Sequence, residues 1–486
     1  MKVKALMTLS VTAVSVTALV ASGAESQGRT RSISQSSAAQ AAQQHPQIVA
    51  EFGGEDTSAR SAYVRSVGSR VTAQSNITGG GNAFRITTLN SPVMNAFAVP
   101  GGYLYVTRQL IGLMNDEAEL ASVLGHEAGH VAARHSKQRQ RASILSQILS
   151  VGAAVLTGSS ELGQLAGQVS QGLVLSYSRS QELEADDLGV RYIAAAGYDP
   201  LASAQFLGSL GAATSLEARA SGRNDERSTP SWARTHPLSS ERVTRATQKA
   251  RATGRTTGLR NRDQFLAQID GIMVDDDPRQ GVIDGRTFRH PDLRLRFTVP
   301  DGYGMQNGTN ALSIVGQGGQ AQFTGSAFNG SMANYVAAAF QSVVGQQGRV
   351  NFSQPRTTTI GGIPAAYSTA RVSTQSGEVD LTIVAYQWSA NSAYHFALIT
   401  PAGAGIGPFE AMVQSVGRLS AAEAAAIRPR VIDVVTVASG DTVQSLANRM
   451  AYDDLKLERF RVLNGLAANS SLSPGQKVKL VVYGTR

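Results

Sequence analysis

Glu119 to Ser136 reads ELASVLGHEAGHVAARHS, and three of the chain's seven histidines, His126, His130 and His135, fall inside it. Residues 116–136 read as one long amphipathic helix. On a helix turning 100° per residue, His126 and His130 lie four positions and about 40° apart, so both imidazoles can project toward a single ion. Glu127 sits beside them, placed to reach a water at that ion without ligating it. His135 lies about 140° further round than His130 and is expected to pack or hydrogen-bond structurally.

Two imidazoles, an open position holding water and a neighbouring glutamate make up a zinc-hydrolase arrangement. The HEAGH pattern alone recurs by chance, so its context decides. A catalytic zinc takes a third protein ligand. The chain has no cysteine, so that ligand is a histidine or a carboxylate. YSRSQELEADDLG, residues 177–189, offers Glu182, and Asp186 four residues later on the same helical face. Glu182 can complete a His₂Glu set, while Asp186 can accept the second N–H of a ligand histidine and fix its tautomer. Glu184 and Asp187 face elsewhere and read as solvated carboxylates.

The bulk properties bound the rest. A chain of 486 residues with 42% hydrophobic and 16% charged side chains can bury a large core in two to four domains. Lys2 and Lys4, the apolar run from Ala5 to about Ala21 and the small residues ending at Ala24 have the three-part layout of a secretory signal peptide, residues 1–24. That predicts an exported protein of the periplasm or cell envelope. Absence of cysteine excludes disulfides and a lipoprotein anchor. The formal charge of +9 favours peripheral contact with anionic envelope and membrane surfaces, but it is diffuse and joined by no recognition motif, so nucleic acid is not an expected partner.

Residues 25–47, rich in Ser, Gln and Ala, read as a flexible leader. Beyond it AYVRSVGSRVTAQS reads as a helix, and FRITTLNS and NAFAVPGGYLYVT as strands with a Pro-Gly-Gly turn. The apolar but interrupted stretch 142–175 reads as a helical hairpin too broken to span a membrane. A basic polar stretch closes the first unit near residue 256. Residues 257–425 alternate in the strand manner with two helical stretches, an α+β domain with no chemical motif.

NAFAVPGGYLYVTRQLIGLMNDEAELASVLGHEAGHVAARHS, then SRSQELEADDLG, then RTHPLSSERV together resemble the family of zinc peptidases that includes the CAAX prenyl protease and the HtpX-like and BepA-like quality-control proteases. The resemblance spans residues 48–256. It implies a mainly helical, gluzincin-type metalloprotease domain with a small sheet and one zinc ion held by His126, His130 and Glu182, with Glu127 as general base. It further places His236 near the metal, either stabilising an oxyanion or filling the open position and keeping the enzyme latent. By the same resemblance Asn95, Ala96 and Phe97 lie on an edge strand that can pair with an extended polypeptide substrate. Membrane-spanning helices of some relatives are missing, which points to the exported branch and away from prenylated substrates.

Residues 431–486 give strand, helix, helix, strand, with the landmarks GDT, LNG and PGQ, and resemble a LysM domain, a module that binds N-acetylglucosamine glycans such as peptidoglycan. The expected whole is an α+β multidomain zinc endopeptidase acting on misfolded or unassembled envelope proteins. The rival reading is a non-catalytic peptidoglycan-binding or chaperone-like scaffold.

Overall fold

A computed structural model describes residues 31–135, 177–220, 236–237, 239–255, 257–344, 351–374 and 377–485. The signal peptide and the hairpin expected at 142–175 lie outside them. Among the described residues no helix is long and apolar enough to cross a membrane.

The first departure from expectation is α1, Gln35–Glu51, where a flexible leader was expected to run to residue 47. Ala and Gln are good helix formers, and the Ser34 hydroxyl caps the helix by accepting from the Ser37 amide at 3.2 Å. Ala41 and Ile48 pack with Leu89, Phe97, Val99 and Tyr105, which holds α1 in place. Helix α2 (Ala59–Thr72) follows. Strands β1 (Arg85–Leu89), β2 (Ala96–Val99) and β3 (Tyr103–Thr107) form a sheet in the order β1-β3-β2, with β1 and β3 parallel and β2 antiparallel at one edge. Gly101, at φ +115° in the turn between β2 and β3, has room for no side chain, because a Cβ there would stand 2.5 Å from the Ser37 carbonyl oxygen of the α1 start.

Short α3 (Arg108–Leu113) leads into α4 (Glu117–Ala133). Asp116 caps α4, accepting from the Glu119 amide at 2.9 Å, and Glu117 and Glu119 complement the helix dipole in the first turn. The expected amphipathic helix is instead a central one, with every residue from Glu117 to His130 buried. Helices α5 (Arg179–Ala195) and α6 (Ala202–Ala220) join α2 and the sheet around it. Helices α7 (Ser240–Ala252) and α8 (Arg262–Ile269) complete the unit.

Phe265, Leu266 and Ile269 of α8 and Val274 of β4 (Met273–Val274) belong to the same core as α4. The core that holds α4 thus continues past the expected boundary of 256, through Val274. The basic polar stretch there holds most of α7, whose Arg242, Ala246 and Ala250 are buried, and the start of α8. The middle region then builds a seven-stranded sheet from Gly304 to Pro401 and a four-stranded one beside it, from strands β5 (Val282–Asp284) to β15 (Gly417–Arg418). One face of the larger sheet is covered by a helix at Met332–Val344, and the other packs on the smaller sheet through Phe288, Phe297, Phe323 and Phe396.

Strand β16 (Arg430–Thr436), two short helices at Val443–Asn448 and Lys456–Leu463, and β17 (Lys477–Tyr483) give the expected βααβ unit. It is not a separate bead. Strand β16 pairs with β17 on one side and with β4 on the other. Ile432, Phe460, Val478 and Leu480 share one core with Leu110, Met114 and Leu120. Fully buried Lys479 donates to the Gly112, Leu113 and Met114 carbonyls at 2.9, 3.0 and 2.6 Å, capping the C-terminal end of α3. Burial lowers the pKa of this ammonium and raises that of Glu119, its charge partner in the first turn of α4.

Candidate functional site

The site forms where α4 crosses α5, and small residues set the crossing. A Cβ on Gly129 would stand 3.0 Å from the Ala185 carbonyl oxygen, and one on Gly189 would stand 3.0 Å from the His126 amide nitrogen. With hydrogens there, the backbones close up and Glu182 faces the two histidines of α4. Helix α5 starts where Ser178 and Gln181 form a capping box.

His126 Nε2 and His130 Nε2 lie 3.0 Å apart, and the Glu182 carboxylate oxygens lie 3.6 Å from the first and 3.5 Å from the second. His236, in the loop before α7, brings Nδ1 to 3.1 Å from Glu182 Oε1 and 3.3 Å from His126 Nε2. One ligand atom from each of these four buried residues fits within 4.8 Å of the others, so the group is able to hold a metal ion. Three imidazoles and a carboxylate, with no thiolate, form a donor set suited to zinc. Glu127 is wholly buried, and neither of its oxygens has a hydrogen-bond partner among the described residues. His236 Nε2 stands 3.6 Å from Glu127 Oε1. An orphaned buried carboxylate is costly unless something arrives to meet it, and a water at the metal position is such a partner.

Asp186 lies where the helical spacing puts it, with Oδ1 2.9 Å from His126 Nδ1. What the sequence reading missed is Arg242, in the first turn of α7 and 1% exposed. Its guanidinium grips Asp186 through Nε and Nη2 at 2.7 and 2.8 Å and reaches Glu182 Oε2 through Nη1 at 2.7 Å. Nη1 also donates to the Pro237 carbonyl at 3.2 Å, anchoring the loop that carries His236. One signal was readable: two buried acids four residues apart demand a cation, and SSERV supplies one.

The electrostatics follow from this packing. Burial raises the Asp186 pKa, but hydrogen bonds from Arg242 and His126 outweigh it and hold the carboxyl well below its usual range. Burial would lower His126, yet its bond to Asp186 leaves it raised. His130 is held well below its ordinary value, first by burial and then by the neighbouring imidazoles, so it is neutral and ready to ligate. Burial raises the Glu127 pKa above the ordinary carboxylate value.

His135 packs and hydrogen-bonds as expected and Glu184 is exposed as expected, but their partners were not foreseen. His135 is fully buried, its Nδ1 is 2.8 Å from His130 Nδ1, and its Nε2 is 3.2 Å from Glu184 Oε2. The Tyr177 ring stacks on His130, with centroids 3.6 Å apart.

Residues 58–250 match the model of Peptidase family M48, and residues 435–481 match that of the LysM domain. The chain carries a peptidase family M48 domain and a C-terminal LysM domain. The M48 part is similar to the beta-barrel assembly-enhancing protease of Escherichia coli K12, 30% identical over 42% of this chain and 42% of that protein. It is also similar to the mitochondrial metalloendopeptidase OMA1 of Schizosaccharomyces pombe, 30% identical over 33% and 44%, and to metalloprotease LoiP of E. coli K12, 33% identical over 33% and 60%. The chain spans about two fifths of the length of the assembly-enhancing proteases it matches. The mixed helix-and-sheet fold with a C-terminal LysM domain agrees with these matches.

In the M48 domain, Asn95, Ala96 and Phe97 do lie at the edge strand β2, but Phe97 turns its ring into the core against Tyr105 and Phe52. The bond from the Thr107 amide to the Asn95 carbonyl, 3.0 Å, fixes the ladder's phase. By alternation Phe97 bonds toward β3, and Ala96 and Ala98 turn their amide and carbonyl groups away from it, although Ala96 is buried. Asn95 Oδ1 is buried with no hydrogen-bond partner among the described residues.

Proposed function

We propose that this protein is an exported zinc-dependent endopeptidase, holding one zinc per chain and acting on misfolded or unassembled proteins of the cell envelope. The observation that carries the reading is the convergence of His126, His130 and Glu182 beside an orphaned Glu127. When bound, zinc supplies Lewis acidity that polarises a scissile carbonyl and lowers the pKa of a water. Glu127 takes the proton of the attacking water and returns it to the leaving amine. Asp186, fixed by Arg242, keeps the His126 Nδ1 proton in place so that Nε2 faces the ligand cluster. The amide and carbonyl groups of Ala96, turned away from β3, and the unmet Asn95 oxygen are where a substrate strand would add once their cover is displaced.

His236 lies among the ligand atoms, which favours the latent role over an oxyanion role in this arrangement. The LysM domain is the proposed contact with peptidoglycan, and the envelope location rests on the leader sequence and on the periplasmic kind of relative.

The test is metal content and casein cleavage on purified protein. About one zinc per chain is expected, with Glu127→Gln retaining zinc and losing cleavage by roughly three orders of magnitude or more. His236→Ala should raise cleavage if that imidazole blocks the site. Zinc absent, or cleavage indifferent to Glu127→Gln, would favour a glycan-binding scaffold instead.

A further inference from the structure

We infer that His135 and Glu184 form a proton-ordered chain that positions His130, making His135 a positioning residue for the metal site. The inference rests on the metalloprotease reading above and adds residues to it.

The chain begins with a turn. Helix α4 ends at Arg134, which adopts the left-handed conformation at φ +57° and closes the helix with its amide bonded back to the Val131 carbonyl at 3.1 Å. A straight helix would carry the residue after Arg134 about 140° away from His130. The left-handed residue instead turns the chain back, and His135 is buried with its Nδ1 2.8 Å from His130 Nδ1.

Two ring nitrogens at that distance share one proton, and the ends of the chain decide where it lies. His130 Nε2 is the atom that faces the ligand cluster and must present a lone pair. The His130 proton is therefore on Nδ1, which donates to His135 Nδ1. His135 then carries its own proton on Nε2, and that nitrogen stands 3.2 Å from Glu184 Oε2, an acceptor. Every donor meets an acceptor in one direction only, from the cluster out to the carboxylate. Tyr177 stacked on the ring face restricts the remaining rotation of His130.

The two ligand histidines are thus held differently. His126 contacts a carboxylate directly, one locked by a buried arginine. His130 Nδ1 reaches a carboxylate only through a second imidazole, and the Glu184 side chain is 60% exposed. Solvent weakens that outer bond, so His135 carries most of the effect and Glu184 little.

The test is zinc affinity of the full-length protein by competition with a chromogenic chelator, read beside thermal unfolding of the metal-free form. Loss of partners that orient metal ligands costs about 10–100-fold in affinity. His135→Ala is expected to weaken zinc binding by that factor, His135→Asn to recover part of it, and Glu184→Gln to change it by less than about threefold. His135→Ala within twofold of the parent, or weakened only in proportion to a general loss of metal-free stability that His135→Asn shares, would overturn the inference. A parent protein that binds no zinc would overturn the metalloprotease reading itself, a result distinguishable from either.

Discussion

The most consequential side chain outside the proposed ligand set is Arg242. It is the cation that makes two buried acids tolerable, and burial without a partner is where charged groups become expensive. Arg242→Met would leave Glu182 and Asp186 facing each other around His126 with no guanidinium between them. Metal-free protein should lose about 3–5 kcal/mol in urea unfolding, and Arg242→Lys should recover the charge but not the two-pronged grip. A change under about 1 kcal/mol would mean that the acids find another way to be neutral. At this scale the sequence was legible where local geometry governs. The shared face of His126 and His130 and that of Glu182 and Asp186 follow from spacing on a helix, while bringing Glu182 to the histidines rested on the donor type that zinc requires and on the family resemblance. Arg242 and His135 were not legible, because one arrives from a distant helix and the other is redirected by a single left-handed residue that periodicity cannot see.

Among elements, the decisive relation is the contact of α4 with α5. Glycine in a helix interior costs about 1 kcal/mol relative to alanine, and Gly125, Gly129 and Gly189 all lie within these two helices. The cost is offset by backbone proximity, without which Glu182 would not reach the histidines. Gly189→Ala places a methyl 3.0 Å from the His126 amide nitrogen and 3.2 Å from its Cα, atoms that cannot rotate away. We expect a loss of about 1–3 kcal/mol together with weaker zinc binding as the helices part. Calorimetry and a zinc titration check the two effects, and an unchanged pair would show that the helices have slack. Start signals for these helices were readable, since Ser178 and Asp116 are capping residues in plain view. Helix α1 was not, because only Ala41 and Ile48 of its length are buried, and so small an apolar face leaves no periodic trace.

For the molecule as a whole, the LysM domain is built into the body that holds the proposed site. A fifty-residue unit with its own turns and caps reads as independent, and nothing local in it announces that Lys479 ends against α3 or that β16 also pairs with β4. Within the LysM domain Asn464 holds the Lys479 backbone in place, donating to its carbonyl at 2.9 Å and accepting from its amide at 2.7 Å. Hydrogen exchange should therefore report one opening unit. Amides of α4 near Leu120 to Leu124 and those of β17 are expected to share an opening free energy, and Lys479→Met should lower both alike. Strand β17 exchanging far faster than α4, with α4 indifferent to Lys479→Met, would show two independent units.

The same junction has a consequence in time. Lys479 comes 367 residues after Gly112, with the whole middle region between them, so a chain emerging N-terminus first presents α3 long before its cap is made. Strand β17 and the proposed catalytic helix share one core, so that core is complete only once synthesis has passed the LysM strand.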